Sequence, residues 1–472
     1  MDTQSRKYKA AIYLALMGAI LLGIYLRLRN ITATGLWLDE AFSASVSDPD
    51  NRLVDVYRTT LSDVHPPFYQ ILLWGYYHIF GFGEYAGRYL SAVIGVLLIP
   101  SMFVLGRKLF DEKIGVIAAW LVSINYFLIQ YSQETRSYAL LVLLTVLSFV
   151  VFLRCLEQSR VADFCCYSLI IAALINTHYF GCLPVFSQVL LMLYLFWRKE
   201  IEPHVVCKFA GCGLLAILTM LPGLPYTESS FSRQFWISPP DNVFFFKLFL
   251  LYFEDAFLAA LAAIISIFGF VSLSMNIERG RVCRLIIFWL VVGVLIPYIC
   301  SVYLRPVTTF RNFIFLLPAV LLVVAYAVAG IKDVAVKTLL LLVLMSFSAT
   351  PLFRDISKLR DPQNPYSRET HMRDVVISVM KKTDGWPVYS IDADQFGIYL
   401  KILGSSVRVG NMDELISDLK LPNHPKDFYF LETKYHLSFA QDKEFLEKYD
   451  TEILAKEEVG EVRLFKVRSL AP

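Results

Sequence analysis

The sequence predicts a polytopic α-helical membrane protein that ends in a small α/β domain outside the membrane. Three observations carry this. The 472 residues are 56% hydrophobic and 18% charged, with a mean hydropathy of +0.54, more apolar surface than a water-soluble fold can hide. Apolar runs of about 20 residues, long enough to cross a ~30 Å hydrocarbon core, recur along the first three quarters of the chain. After residue 352 the composition changes. Charges become frequent, and strand-like runs such as "WPVYSI" and "DFYFLET" alternate with helical patterns at 369–382 and 438–448. The expected division is a membrane domain at 1–352, with its first outer loop at 27–85, and a soluble α/β domain at 353–472. A net charge of +3 is too small to suggest a nucleic-acid partner.

Eleven membrane helices are expected, near 10–26, 86–105, 114–130, 137–153, 164–177, 181–197, 205–222, 256–274, 285–303, 309–329 and 336–352. The first run has no cleavage site of the A-x-A type and reads as a permanent anchor. The apolar stretch at 65–80 is too short to span. It opens with two prolines and carries Phe68, Tyr69, Trp74, Tyr76, Tyr77 and Phe80, the pattern of a helix lying in the interface. Loop charge supports that reading. With 65–80 on the surface and the N-terminus inside, Arg6, Lys7, Lys9, Arg107, Lys108, Lys113, Arg154, Arg160, Arg198, Lys199, Arg279, Arg281, Arg284, Lys332 and Lys337 are all cytoplasmic. If 65–80 spanned, every cluster from Arg107 onward would lie outside, against the positive-inside rule. All eight cysteines fall between 155 and 300, none at metal-site spacing, and read as small buried hydrophobes. No internal repeat of the transporter kind is visible.

This topology collects the residues able to do chemistry on one side, the outer one. Asp39 and Glu40 sit adjacent in an apolar and aromatic context, "LWLDEAF", where a charge is costly without a partner. His65 follows in "DVHPPFYQILLW", beside two stiffening prolines. Arg88, in "EYAGRYLSAVIGV", lies about one turn inside a membrane helix, where a snorkelling arginine is the alternative. Glu134 and Arg136, in "YSQETRSYAL", could be no more than a surface ion pair. Arg305 and Arg311 follow in "YLRPVTTFRNFIF". Four arginines (Arg88, Arg136, Arg305, Arg311) at one interface suggest an anionic ligand held by planar bidentate donors, with phosphate the obvious candidate. A carboxylate able to take a proton beside arginines able to hold a phosphate suits transfer from a lipid-linked phosphate to an acceptor hydroxyl.

At this point the order of motifs resembles a family. "LWLDE", "DVHPPFYQILLW", "EYAGRYLSAVIGVL" and "GRKLFDEKIGVIAAWLVSINYFLIQYSQETRSYALL", with "THYFG" and "RPVTTFRNFIFLLP" later, are similar to the glycosyltransferase family 39 and 83 enzymes of the GT-C class. That class includes the protein O-mannosyltransferases and the lipid A aminoarabinose transferase. The resemblance implies a GT-C fold, a polyprenyl-phosphate sugar donor, and inverting transfer on the outer face of the cytoplasmic membrane. The acceptor would be a lipid, a glycan or a protein. It further implies that Asp39 is the catalytic Asp, with Glu40 beside it, and that Arg88 and Arg136 touch the donor phosphate. His65, Tyr131, Glu134, His178 and Tyr179 are the candidates to hold sugar or acceptor. The tail shows no β-trefoil repeat of the eukaryotic protein mannosyltransferases, which points to a prokaryotic enzyme. A divalent metal (Mg, Mn or Zn) could sit between Glu40, His65 and His178. The competing reading is a lipid or polysaccharide transporter. It would need charges in mid-membrane, for which Glu254 and Asp255 are the main candidates, and these are expected near a helix end instead.

Overall fold

The computed structural model describes residues 3–62, 65–226, 237–353, 372–382, 385–421, 424–433, 439, 442–459 and 462–470. The expected helical stretches at 369–382 and 438–448 therefore extend in part outside the described residues, as do Asp63 and Val64 of the "DVHPP" motif. The chain forms two compact units. One comprises 1–29, 52–73 and 88–354; the other comprises 30–51, 74–87 and 355–472. Two pieces of the expected first outer loop thus belong with the C-terminal domain, a different division from a single boundary after 352.

In the first unit each of the eleven expected segments is helical. Among the described residues, eight helices are long and apolar enough to cross a membrane. The count is nine if the bent pair Glu112–Ile124 and Tyr126–Ser132 is one span. The shortfall against eleven lies in length. Val161–Ile175 has 15 residues, about 22 Å at 1.5 Å per residue, and Val334–Ser346 is the second short apolar helix within Val334–Phe353. The run 114–130 is not one rod. It bends by 60° at Asn125, whose Oδ1 accepts from Leu128 N–H at 3.0 Å and whose Nδ2 donates to the Tyr252 carbonyl at 2.8 Å. A further helix, Phe244–Phe253, was not expected. Phe68–Phe80 is a 13-residue helix, too short to span, as the sequence indicates.

Packing in this unit relies on close approach and paired polar groups. A Cβ on Gly106 would lie 2.8 Å from the Cα of Gly115, so these glycines let Ala86–Leu109 fold back tightly on Glu112–Ile124. Tyr167 donates to Gln188 at 2.7 Å, and Gln188 donates to Ser148 at 2.8 Å, all buried. Three helices are joined by polar groups that would be costly alone in lipid. Glu254 and Asp255 lie at a helix junction. Glu254 adopts φ 58° after Phe253, and Asp255 caps Ala256–Met275 by accepting from Leu258 N–H at 2.9 Å. All eight cysteines are free. Cys155, Cys212 and Cys283 are buried, but Cys165, Cys166, Cys182 and Cys207 lie on exposed helix faces, so only some fit the expectation of burial.

The second unit is built on a five-stranded mixed sheet: β1 (Val388–Ser390), β2 (Val409–Gly410), β3 (Asp427–Thr433), β4 (Thr451–Val459) and β5 (Val462–Ser469), in the order β2-β1-β3-β5-β4. β1 runs parallel to β2 and β3, while β5 pairs antiparallel with β3 and β4. Helices Ala393–Ile402 and Met412–Leu419 make the crossovers that parallel strands require. β3 reads as a continuous apolar run because both its faces are buried. Phe428 and Phe430 enter one core with Leu415, Phe465 and Val467. Tyr429 and Leu431 enter the other with Met372, Val376, Phe396 and Tyr399. That second core also contains Leu36, Ala41 and Ala44, so the helix Leu38–Val46 is an integral part of the C-terminal domain.

Candidate active site

The two motifs "HPPF" and "THYFG" come together first through the backbone. Phe68 N–H donates to the Asn176 carbonyl at 2.8 Å, fixing the start of Phe68–Phe80 against the loop that ends Val161–Ile175. The His65 and His178 rings then meet edge to face, with centroids 5.7 Å apart. Arg136 Nη2 lies 3.2 Å from His65 Nε2. A guanidinium only donates, so Nε2 accepts and the neutral ring carries its proton on Nδ1. His178 is the reverse: its Nδ1 accepts from Phe180 N–H at 3.1 Å and caps the turn Tyr179–Gly181. Burial holds the His178 imidazole well below its ordinary pKa, and the Arg136 and Arg311 cations push the same way. It is therefore a neutral group among cations. Arg311 lies over the Tyr138 ring at 5.6 Å, and Tyr138 contacts both Tyr131, at 5.1 Å, and His178, at 5.9 Å.

The structure thus assembles His65, Arg136, His178, Arg311 and Tyr131 around Tyr138. Glu134 and Arg136 are each 4% exposed, which removes the reading of a solvated ion pair. Tyr179 is half-buried in its turn. Arg88 is 4% exposed in the first turn of Ala86–Leu109. One turn on, Ser91 bonds to Tyr69 at 3.2 Å, tying this helix to Phe68–Phe80. A buried arginine is not a snorkelling one. Arg305 is half-buried past the end of Gly280–Tyr303, its N–H bonded to Cys300 O at 2.8 Å.

In the second unit, Asp39 and Glu40 occupy the first turn of Leu38–Val46, where acidic side chains complement the helix macrodipole. Their environments differ. Glu40 is fully buried, and its Oε2 accepts from Trp37 N–H at 3.4 Å, a capping role. Asp39 is half-buried. At 100° per residue it lies roughly 170° around the helix from the mean direction of Ala41 and Ala44, the residues that enter the domain core. Ser43, on the same side as Asp39, donates to the Asp39 carbonyl at 3.0 Å. The core grips one face of the helix and leaves the Asp39 carboxylate on the other.

With this geometry in hand, comparison with known proteins is direct. The sequence model of the dolichyl-phosphate-mannose-protein mannosyltransferase family matches residues 64–226. ArnT from Cupriavidus metallidurans in the apo state superposes with a TM-score of 0.64 at 12% identity, covering 97% of this chain and 98% of that one. Its undecaprenyl phosphate-bound form gives 0.60 at 12% identity, covering 98% of each. The archaeal oligosaccharyltransferase AglB from Archaeoglobus fulgidus, in complex with an inhibitory peptide and a dolichol-phosphate, gives 0.59 at 11% identity, covering 90% of this chain and 70% of that one. The chain has the GT-C glycosyltransferase fold. No curated protein matches it.

Sequence reasoning missed three residues that position parts of this GT-C frame. Arg27 is fully buried at the end of Thr3–Leu28. It donates to the Val122 and Ser123 carbonyls at 3.2 Å, which the break at Asn125 would otherwise leave open. Gln133 returns the favour, its Nε2 donating to the carbonyls of Leu26, Arg27 and Arg29. Tyr138 is the third. The signal for Arg27 is a charge in the last turn of an apolar helix; Gln133 and Tyr138 carry none. As for the metal expected of Glu40, His65 and His178, no group of three or more His, Cys, Asp or Glu among the described residues could hold one. His65 Nε2 and His178 Nδ1 already accept hydrogen bonds, and cationic arginines neighbour the rings.

Proposed function

We propose that this protein transfers a sugar from a polyprenyl-phosphate donor to an acceptor hydroxyl of a lipid, glycan or protein. The reaction takes place on the outer face of the cytoplasmic membrane, with inversion. The observation that carries the reading is the cluster in which Arg136 bonds to His65, His65 meets His178, and Arg311 lies over Tyr138 beside the same His178, a grouping suited to an anion. Support comes from the fold, shared with a transferase solved with undecaprenyl phosphate bound. In the step, the acceptor oxygen bonds to the anomeric carbon as its proton passes to the Asp39 carboxylate. The bond from the anomeric carbon to the phosphate oxygen breaks, and the released phosphate monoester gains negative charge. Arg136 and Arg311 take up that charge, with Arg88 and Arg305 serving the same phosphate. Glu40 holds the first turn of the helix rather than moving a proton. His65, Tyr131, Glu134, His178 and Tyr179 orient the sugar and acceptor.

Asp39→Asn is the test. It keeps shape and removes the proton acceptor, a loss of about 10²–10⁴-fold in turnover. Mass spectrometry of envelope lipids and glycans from cells carrying only this variant should lack one sugar-bearing species. Retention of more than a third of the wild-type amount would remove Asp39 from the base role.

A further inference from the structure

The helix that carries Asp39 is held at both ends by one helix of the C-terminal domain, Ala393–Ile402. At its start, the Tyr399 hydroxyl accepts from Leu36 N–H at 2.9 Å and donates its own proton to Glu84. Tyr399 is fully buried, and Arg373 steadies this corner through Tyr85 Oη at 3.0 Å. The approach depends on Gly35, where a Cβ would stand 2.5 Å from the Tyr399 hydroxyl oxygen. At the far end, Lys401 Nζ reaches Asp48 Oδ2 at 2.5 Å and Asp50 Oδ2 at 2.6 Å. Between the two clasps, Ala41 and Ala44 share a core with Phe396, Tyr399 and Leu400. A side chain some 360 positions along the chain thus touches the backbone three residues before Asp39.

We propose that Tyr399 is a positioning residue for the transfer reaction: through the Leu36 amide it sets where the first turn of Leu38–Val46, and with it the Asp39 carboxylate, stands. The proposal rests on the assignment of Asp39 as base. The physical reason is specific to the hydroxyl. Leu36 is 1% exposed, so its N–H has little access to water if the Tyr399 oxygen is removed, and an unmet buried donor is costly enough to shift a short segment. Packing is a separate matter, since phenylalanine would fill the same place in the core. A base displaced by about 1 Å loses up to roughly 10²-fold in rate without any loss of donor affinity.

The test uses the full-length protein with Tyr399→Phe, Gly35→Ala and the combined variant. In Tyr399→Phe, amide hydrogen exchange across 36–42 should quicken about tenfold while β3 and β5 stay unchanged. Binding of undecaprenyl phosphate, used as the probe, should stay within about twofold of wild type, because the arginines are untouched. The envelope species lost in Asp39→Asn should form about tenfold more slowly. Gly35→Ala alone should show the same slowing, since its methyl group strikes the hydroxyl. Combined with Tyr399→Phe it should add less than its own full effect, because the nearest atom it strikes is gone and the contact with Arg373 Cβ at 3.0 Å remains. Unchanged exchange and unchanged product in Tyr399→Phe would overturn the proposal, as would full additivity of the two substitutions. If Asp39→Asn itself loses no species, the base assignment fails, and the exchange and additivity results still decide whether the hydroxyl holds the segment.

Discussion

At the scale of single residues, the adjacent pair Asp39 and Glu40 separates into two jobs because neighbours on a helix point about 100° apart. Glu40 turns inward and accepts from Trp37 N–H, whereas Asp39 faces away from the core. Glu40→Gln keeps an acceptor oxygen and should retain most activity. Glu40→Ala should lower stability by about 0.5–2 kcal/mol, the usual loss for a helix cap, measured as a fall in the unfolding midpoint. Equal harm from both would mean that the Glu40 charge itself is used. Arg136 tests the phosphate side. Arg136→Ala should weaken undecaprenyl phosphate binding by at least tenfold, and Arg136→Lys should restore it only in part, because lysine lacks the planar fork. Wild-type affinity in Arg136→Ala would make that arginine structural. The sequence makes the pair visible as charges in an apolar stretch. It could not tell the two apart, because that depends on which face meets a core formed by residues beyond 372.

At the scale of elements, apolar length locates the eleven expected helical segments, eight or nine of them long enough to span, but misses the break at Asn125. "SINYFLIQY" stays apolar through it, and the bond that makes Asn125 a bend goes to Tyr252, 127 positions away. The break has a purpose in the site. It ends Glu112–Ile124 early, exposes the carbonyls that Arg27 occupies, and delivers Gln133 to the end of Thr3–Leu28. The loop carrying Glu134 and Arg136 is thereby pinned one residue upstream. Gln133→Ala should remove three contacts to helix-end carbonyls and lower stability by about 1–3 kcal/mol. It should also weaken undecaprenyl phosphate binding while leaving the exchange of residues 36–42 unchanged. Binding that survives a measured loss of stability would show that the loop does not depend on its anchor. The α/β tail was legible as strands and helices, but not its ownership of 30–51, because that join runs through a few side chains, Leu36, Ala41 and Ala44 in the core and Asp48 and Asp50 on Lys401, whose partners lie some 350 positions away.

At the scale of the whole molecule, contacts count crossings. Two residues that touch at one membrane face must be separated by an even number of spans. His65 meets Arg136, so Ala86–Leu109 and the bent pair account for two crossings, and Phe68–Phe80 cannot be a third. Phe68 meets Asn176, which fits a crossing by Val161–Ile175 despite its 15 residues, making four with Tyr138–Gln158. Leu36, Ala41 and Ala44 share a core with residues 372–464, so 30–51 and the tail lie on one side, and the spans from 86 to 353 must be even in number. That count is met when Val334–Phe353 crosses as well. Counting each short apolar helix as a span gives eleven with the N-terminal helix, and the positive-inside rule applied to the fifteen basic residues on the alternate loops then predicts an outer tail. Ser417, exposed on Met412–Leu419, reports the result. In a variant whose eight native cysteines are replaced, Ser417→Cys should react with an impermeant thiol reagent in intact cells. Reaction only after lysis would put the tail inside. Because the Asp39 helix shares the tail's core, it would carry the base to the cytoplasmic side, and the outer-face transfer proposed here would fail with it.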